Sequence, residues 1–269
     1  VFSRYRSSWL VLLRSKMTMN TNFTLQEKIN ITPSEKELFE FLLSVVENNQ
    51  TKTVMRVAGG WVRDKLMGNE ANDIDISLDN MTGEEFGSLV KEQINAGKPK
   101  KQKTNKVGVI GVRPELGKFV ETATVHCKNF SLDLLSLRSQ VQVGDILRKS
   151  DHLDDDLVTQ AAEDAHLRDF TVNAMFYNIN TGSVEDFVGG NQDLCEKVIR
   201  CPNAFKRSYF LKNGQSDKAA EKEGTELRLR EDPHRSLRAI RFACKFDFRL
   251  SDCIKQVICT QEVQRFLLE

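Results

Sequence analysis

The segment "RVAGGWVRDKLMGNEANDIDIS", residues 56–77, constrains the fold more than any other part of the chain. It reads as a strand over 53–58, a Gly59-Gly60 turn, a short helix ending at Gly68, and a second strand over "DIDIS". Side chains alternate along a strand, so Asp73 and Asp75 share one face while Ile74 and Ile76 enter a core on the other. Two carboxylates that close repel each other unless a cation lies between them or a proton is shared. The Gly-Gly turn leaves backbone N–H groups facing outward, which suits phosphate oxygens, and Arg63 stands one turn further on as a bidentate donor. Taken alone, a Gly-Gly turn is most often just a tight turn, and a DxD is most often a solvated strand face. Their closeness in sequence is what points to a site for Mg²⁺ and a triphosphate.

A third carboxylate is expected from a neighbouring strand. Asp133, set among leucines in "SLDLLSLR", and Glu121, in "FVETATV", are the two candidates. A buried aspartate without a cation partner is costly, which favours Asp133.

The remaining pattern predicts a mixed α/β fold. A helix over 32–49 is capped by Thr32, and another over 82–97 by Thr82 with Glu85 three residues on. Strands are expected at 107–112, 119–127 and 131–137, beyond a basic loop, "KPKKQKTNK". An acidic stretch, "SDHLDDDLVTQ", leads into a helix that includes "RDFTVNAMFYN"; "GSVEDFVGG" and "KVIRC" then read as a small hairpin. The polar run "KNGQSDKAAEKEGTE" is expected as a solvated loop or a loose helix, and from Glu231 the pattern is helical to the end. Four stretches follow: a leader over 1–25, an α/β head over 26–202, a charged insertion over 203–230 and the start of a helical domain over 231–269.

Composition narrows the class without naming it. With 40% hydrophobic and 29% charged residues and a formal net charge of +1, the chain neither demands nor excludes a nucleic-acid partner. No apolar run approaches the roughly 20 residues a bilayer requires, and nothing points to a protein partner. The six cysteines form no CxxC pair and are expected as buried reduced thiols rather than disulfides or zinc ligands. The leader carries Arg4, Arg6, Arg14 and Lys16 with no acid before Glu27. That fits a mitochondrial or plastid transit peptide, or an unstructured leader. Starts at Met17 or Met19 would instead leave a cytoplasmic or nuclear protein.

Near the helical part, "EDPHR" places Asp232 and Arg235 on one first turn with Glu231 beside them. A carboxylate acceptor next to an arginine donor matches the Watson–Crick edges of cytosine and adenine, and mismatches those of uracil and guanine. The plain alternative is a capped helix with surface ion pairs.

In this order, "RVAGGWVRDKLMG…NDIDIS", "RDFTVNAMFYN", "VEDFVGG" and "EDPHRSLRAIRFACKF" resemble the class II tRNA nucleotidyltransferases, the CCA-adding enzymes, in their plant- or fungal-like form. Bacterial-type poly(A) polymerases share the same head. The resemblance covers roughly residues 25–260. It implies a nucleotidyltransferase head with a mixed sheet flanked by helices, followed by a helical neck, with further tRNA-holding domains beyond Glu269.

It also implies roles. Asp73 and Asp75 would hold Mg²⁺, with Asp133 the third catalytic acid because Arg138 follows it by five residues. Gly59, Gly60 and Arg63 would bind triphosphate, and Arg168 with Asp169 the ribose. Glu231, Asp232 and Arg235 would select the base, while Arg238 and Arg241 could reach nucleotide or tRNA phosphates. CTP, ATP and tRNA are the implied partners. A poly(A) polymerase, or a silent head that only binds nucleotide, are the rival readings. The chain departs from the family pattern at Leu167, where an arginine is usual, in the stretch after Arg138, and in the insertion near 206–229.

Overall fold

A computed structural model describes residues 28–71, 73–96, 108–110, 121–138, 156–203 and 218–260, leaving aside the side chains of 109, 110, 156–159 and 218–220. The leader, the basic loop, the stretch after Arg138 and most of the charged insertion lie outside the described residues.

Helix α1 (Pro33–Asn48) starts with a reciprocal cap: Thr32 Oγ1 accepts from the Glu35 N–H, and Glu35 accepts from the Thr32 N–H. Glu35 is itself buried and receives Lys65 Nζ at 2.8 Å and Trp61 Nε1 at 3.0 Å. The cap thereby fastens α1 to α2 (Gly60–Leu66). Burial pushes the Glu35 carboxyl up, but Lys65 and the Thr32 donors outweigh it and hold it below its ordinary value.

A seven-stranded mixed sheet runs in the order β3-β4-β5-β2-β1-β6-β7. Its strands are β1 (Met55–Ala58), β2 (Ile74–Leu78), β3 (Gly108–Ile110), β4 (Thr122–Cys127), β5 (Phe130–Ser136), β6 (Phe176–Asn178) and β7 (Ser183–Glu185). β2 and β5 are parallel; the other neighbours are antiparallel. One face carries Val57, Ile74, Ile76, Leu132 and Leu134, all buried beneath α1 and α3 (Gly83–Asn95). Thr82 and Glu85 cap α3 as expected. A side chain at Gly83 would collide with the Leu134 carbonyl, so glycine there lets α3 sit directly on β5. The opposite face carries Ala58, Asp75, Ser77, Asp133 and Leu135. Helix α4 (Asp156–Leu167) covers only part of it, through Ala161 and Ala165 packed with Ala58, Ala174 and Phe176.

Three expectations need correction. "RDFTVNAMFYN" is not helical throughout: α4 stops at Leu167, a single 3₁₀ turn spans Thr171–Asn173, and Phe176–Asn178 is strand β6. Pairing with β1 (Val57 opposite Tyr177) overrides a local apolar spacing that suits a helix equally well. "GSVEDFVGG" and "KVIRC" do not pair with each other. Ser183–Glu185 turns back onto β6, helix α5 (Gly190–Glu196) intervenes, and β8 (Val198–Ile199) pairs in parallel with β9 (Arg249–Leu250).

The C-terminal region is not continuously helical either. Helix α6 (Lys218–Glu231) occupies the second half of the polar run, and α7 (His234–Phe246) ends at Asp247 in the left-handed conformation. β9 and α8 (Asp252–Ile258) follow. Leu229, Ala239, Phe242 and Phe246 join the same apolar cluster as the sheet, with Phe242 edge-on to Phe170.

All six cysteines are free, but only Cys127 and Cys201 are buried; Cys195, Cys244 and Cys259 are exposed. Burial pushes the Cys201 thiol up to about 12. Among the described residues no helix is long and apolar enough to cross a membrane.

Candidate active site

Parallel pairing sets Asp75 directly opposite Asp133 on the uncovered face of the sheet. Asp73 stands one residue before β2 and is exposed. Asp133 Oδ1 accepts the Thr124 hydroxyl at 2.7 Å, which fixes the orientation of the carboxylate from β4. Glu121, the competing acid, lies just outside the start of β4. The Asp75 side chain opens to solvent at the mouth, yet the surrounding protein thins its hydration. That loss of water pushes its carboxyl above the ordinary value; Asp133 and Asp73 push the same way and Arg168 opposes them. A cation would relieve this repulsion, and the donors are hard carboxylate oxygens of the kind Mg²⁺ takes. Among the described residues, no three acid, histidine or cysteine side chains are gathered as a ready-made metal cage.

The cleft above the pair has a volume of about 120 Å³, with Ser77, Ser136, Arg138 and Arg168 among its lining. Gly59 has φ +73°, a conformation that favours glycine, and a Cβ there would lie 3.3 Å from Arg168 Nη1. The Gly-Gly turn therefore brings its backbone against the Arg168 guanidinium. That guanidinium also lies over the Phe176 ring, 4.8 Å from its centroid.

Arg63 is more enclosed than its place in the sequence suggests. It is buried: Nε and Nη2 donate to Asp64 at 2.8 and 2.9 Å, and Nη1 donates to Asn173 Oδ1 at 2.5 Å. The rings of Phe246 and Phe242 lie 4.6 and 5.4 Å from its guanidinium carbon. Arg63 is thus a staple between α2, the 3₁₀ turn and α7, and both arginines stand at the glycine turn, Arg63 against Gly60 and Arg168 against Gly59.

Arg168 and Asp169 also part company. Arg168 is held by Asp164, while Asp169 accepts from the Phe170 N–H, Asn173 Nδ2 and the Arg238 fork, at 3.0 and 2.5 Å for the latter. Burial pushes the Asp169 carboxyl up, but the Arg238 charge and hydrogen bonds, with Asn173, bring it below its ordinary value. Arg238 is therefore paired with a carboxylate here. Arg241 is exposed, its guanidinium 5.0 Å from the Phe242 centroid.

At the start of α7 the expected trio is brought together. Arg235 is buried, with Nη1 3.4 Å from Glu231 Oε2 and Nε 3.9 Å from Asp232 Oδ2. Asp232 also accepts from the N–H of His234, the first residue of α7, as well as facing the arginine. Leu167 is buried and supplies no charge. Asp164, Thr124 and Asn173 escaped the sequence reading. Only Asp164 left a trace there, standing four residues before Arg168 on one helix face.

A mixed sheet with an open acidic face, a glycine turn and an arginine wall defines a nucleotidyltransferase-type head. The chain belongs to the poly(A) polymerase head-domain family, which it matches over residues 55–200. It is 32% identical over 258 residues to a mitochondrial CCA tRNA nucleotidyltransferase of Saccharomyces cerevisiae, an alignment covering 91% of this chain and 43% of that protein. It is 32% identical over 220 residues to poly(A) polymerase I of Salmonella typhi, covering 81% of this chain and 40% of the relative. A solved CCA-adding enzyme in complex with CTP superposes with a TM-score of 0.57 at 25% identity, over 87% of this chain and 45% of that one. The chain thus spans less than half the length of these proteins.

Proposed function

We propose that this chain carries the catalytic head of a tRNA nucleotidyltransferase that adds C, C and A to the tRNA 3′ end from CTP and ATP. The observation that carries the reading is Asp75 facing Asp133 across β2 and β5, in a cleft that also holds Arg168 against Gly59. Mg²⁺ held by Asp73 and Asp75 would neutralise triphosphate charge as it develops on the leaving group. Asp133, oriented by Thr124, accepts the proton of the tRNA 3′ hydroxyl. The bond from that oxygen to the α-phosphorus then forms as the bond to pyrophosphate breaks.

Arg168 and the turn at Gly59 and Gly60 receive the phosphates, and Asp169 accepts a hydrogen bond from the ribose. Arg63 holds the turn to α7 without touching substrate. Asp232 accepts the exocyclic N–H₂ of cytosine or adenine, Arg235 donates to the ring nitrogen, and Glu231 steadies Arg235 at 3.4 Å. Uracil or guanine would leave buried polar groups facing like groups, at roughly 1–3 kcal/mol each. The name of the yeast relative supports a mitochondrial location.

Poly(A) addition on the same head is the second reading, favoured by the family match and the bacterial relative. Incorporation into a tRNA transcript lacking CCA, with each nucleotide supplied singly and then CTP with ATP, separates the two. CC with CTP alone and CCA with both, absent from Asp75→Ala, supports the proposal. ATP tails without CTP use would sink it in favour of poly(A) addition.

A further inference from the structure

Asp164 is a buried carboxylate that no step above uses. It sits on α4, 1% exposed, and both its oxygens are engaged. Oδ2 accepts Arg168 Nε at 2.9 Å and Nη2 at 2.7 Å. Oδ1 accepts the Arg138 backbone N–H and lies 3.3 Å from Arg138 Nε. Asp164, Arg138 and Arg168 line the same cleft as Asp75 and Asp133. The alanines at 161 and 165, both fully buried, let α4 lie close enough on the sheet to deliver this carboxylate.

Consider the cleft without it. Two guanidiniums would face two carboxylates in a confined space, and the favourable resting position for each cation would be on Asp75 or Asp133. The site would be closed by its own side chains. Asp164 offers a competing anion on the far wall, with two N–H groups of Arg168 converging on one oxygen and Arg138 on the other.

We propose that Asp164 is a positioning residue. It clamps Arg138 and Arg168 as a two-guanidinium wall for the triphosphate and keeps both off the metal-binding carboxylates. The inference rests on the nucleotidyl-transfer reading above. Because Leu167 supplies no charge, Arg138 is the second cation of the wall.

The test uses the full chain with a tRNA transcript lacking CCA. In D164N the KM for CTP should rise roughly tenfold or more, with a smaller change in kcat, and half-maximal activity should need several-fold more Mg²⁺ because freed arginines compete for the carboxylates. R138A alone should also raise KM, and R138A added to D164N should raise it by less than the product of the two single effects. A purely structural role would lower the melting temperature without moving the Mg²⁺ requirement, and its effects would multiply. Either result overturns the clamp. Should D164N fail to fold, R138A decides alone, since Arg138 is part-exposed: an unchanged KM refutes the wall. If the unaltered chain neither binds nor incorporates CTP, the nucleotidyl-transfer reading falls and the clamp with it. If it does both and D164N matches it, only the clamp falls.

Discussion

On strand β2, Ile74 and Ile76 are withdrawn beneath α1 and α3, while Asp75 between them opens on the cleft. The two faces obey opposite rules. The apolar face gains from every atom withdrawn from water and tolerates no gap. The acidic face keeps like charges near one another, and this works against folding. Stability and chemistry are thus separable by one residue of register, and substitutions on each face should report on only one of them.

The largest separation is expected at the site. Asp75→Asn should lower incorporation by roughly 10³-fold, within the range for losing a key electrostatic group, while the melting temperature in metal-free buffer stays level or rises. Retained activity would break the comparison on its chemical side. Ile76→Ala should do the reverse, costing about 2–5 kcal/mol in denaturant unfolding, with activity per folded molecule kept. A loss of activity without a loss of stability there would show that the faces are coupled.

A smaller effect is expected at α7. Arg235→Ala should narrow the preference for CTP over UTP by about 1–3 kcal/mol, read as the ratio of their kcat/KM values. Unaltered discrimination would remove Arg235 from base selection.

The finest test is pH. Asp75 has a raised carboxyl in the folded state, so the folded protein binds more protons than the unfolded chain between the ordinary carboxylate value and that raised one. Metal-free stability should fall as pH rises through that window, and Asp75→Asn should remove the slope. Asp169 is lowered, so its contribution is present above the ordinary value and lost as pH falls through the folded one. Asp169→Asn should therefore flatten the acid limb instead. Melting temperatures across pH with a chelator present would distinguish the two, and slopes of the same sign would refute the assignment.

The features legible in the sequence were those written in adjacent residues: the caps at Thr32 and Thr82, the turn at Gly59, and the alternation around Asp75. The trio at Glu231, Asp232 and Arg235 falls within five consecutive residues and was visible for the same reason. Strand β6 was hidden because its apolar residues fit two periods, and only its pairing with β1 chooses between them. The burial of Arg63 was hidden for a related reason. Its aromatic partners Phe242 and Phe246 are far along the chain, so nothing near Arg63 shows that it points inward. Asp164 was missed because its worth depends on Arg138 arriving from another element.

The pairing of β8 with β9 bears on how this head can vary. The chain leaves the small sheet at Ile199 and returns to it at Arg249, so everything between is an excursion tethered at both ends. Lengthening a tethered excursion costs little, about 0.6 kcal/mol for each doubling of a flexible loop. Added length within the excursion would therefore leave Val198 and Leu250 with the same footing beneath α7. Helix α7 is moored like a boat on two lines, and added rope would not move the berth.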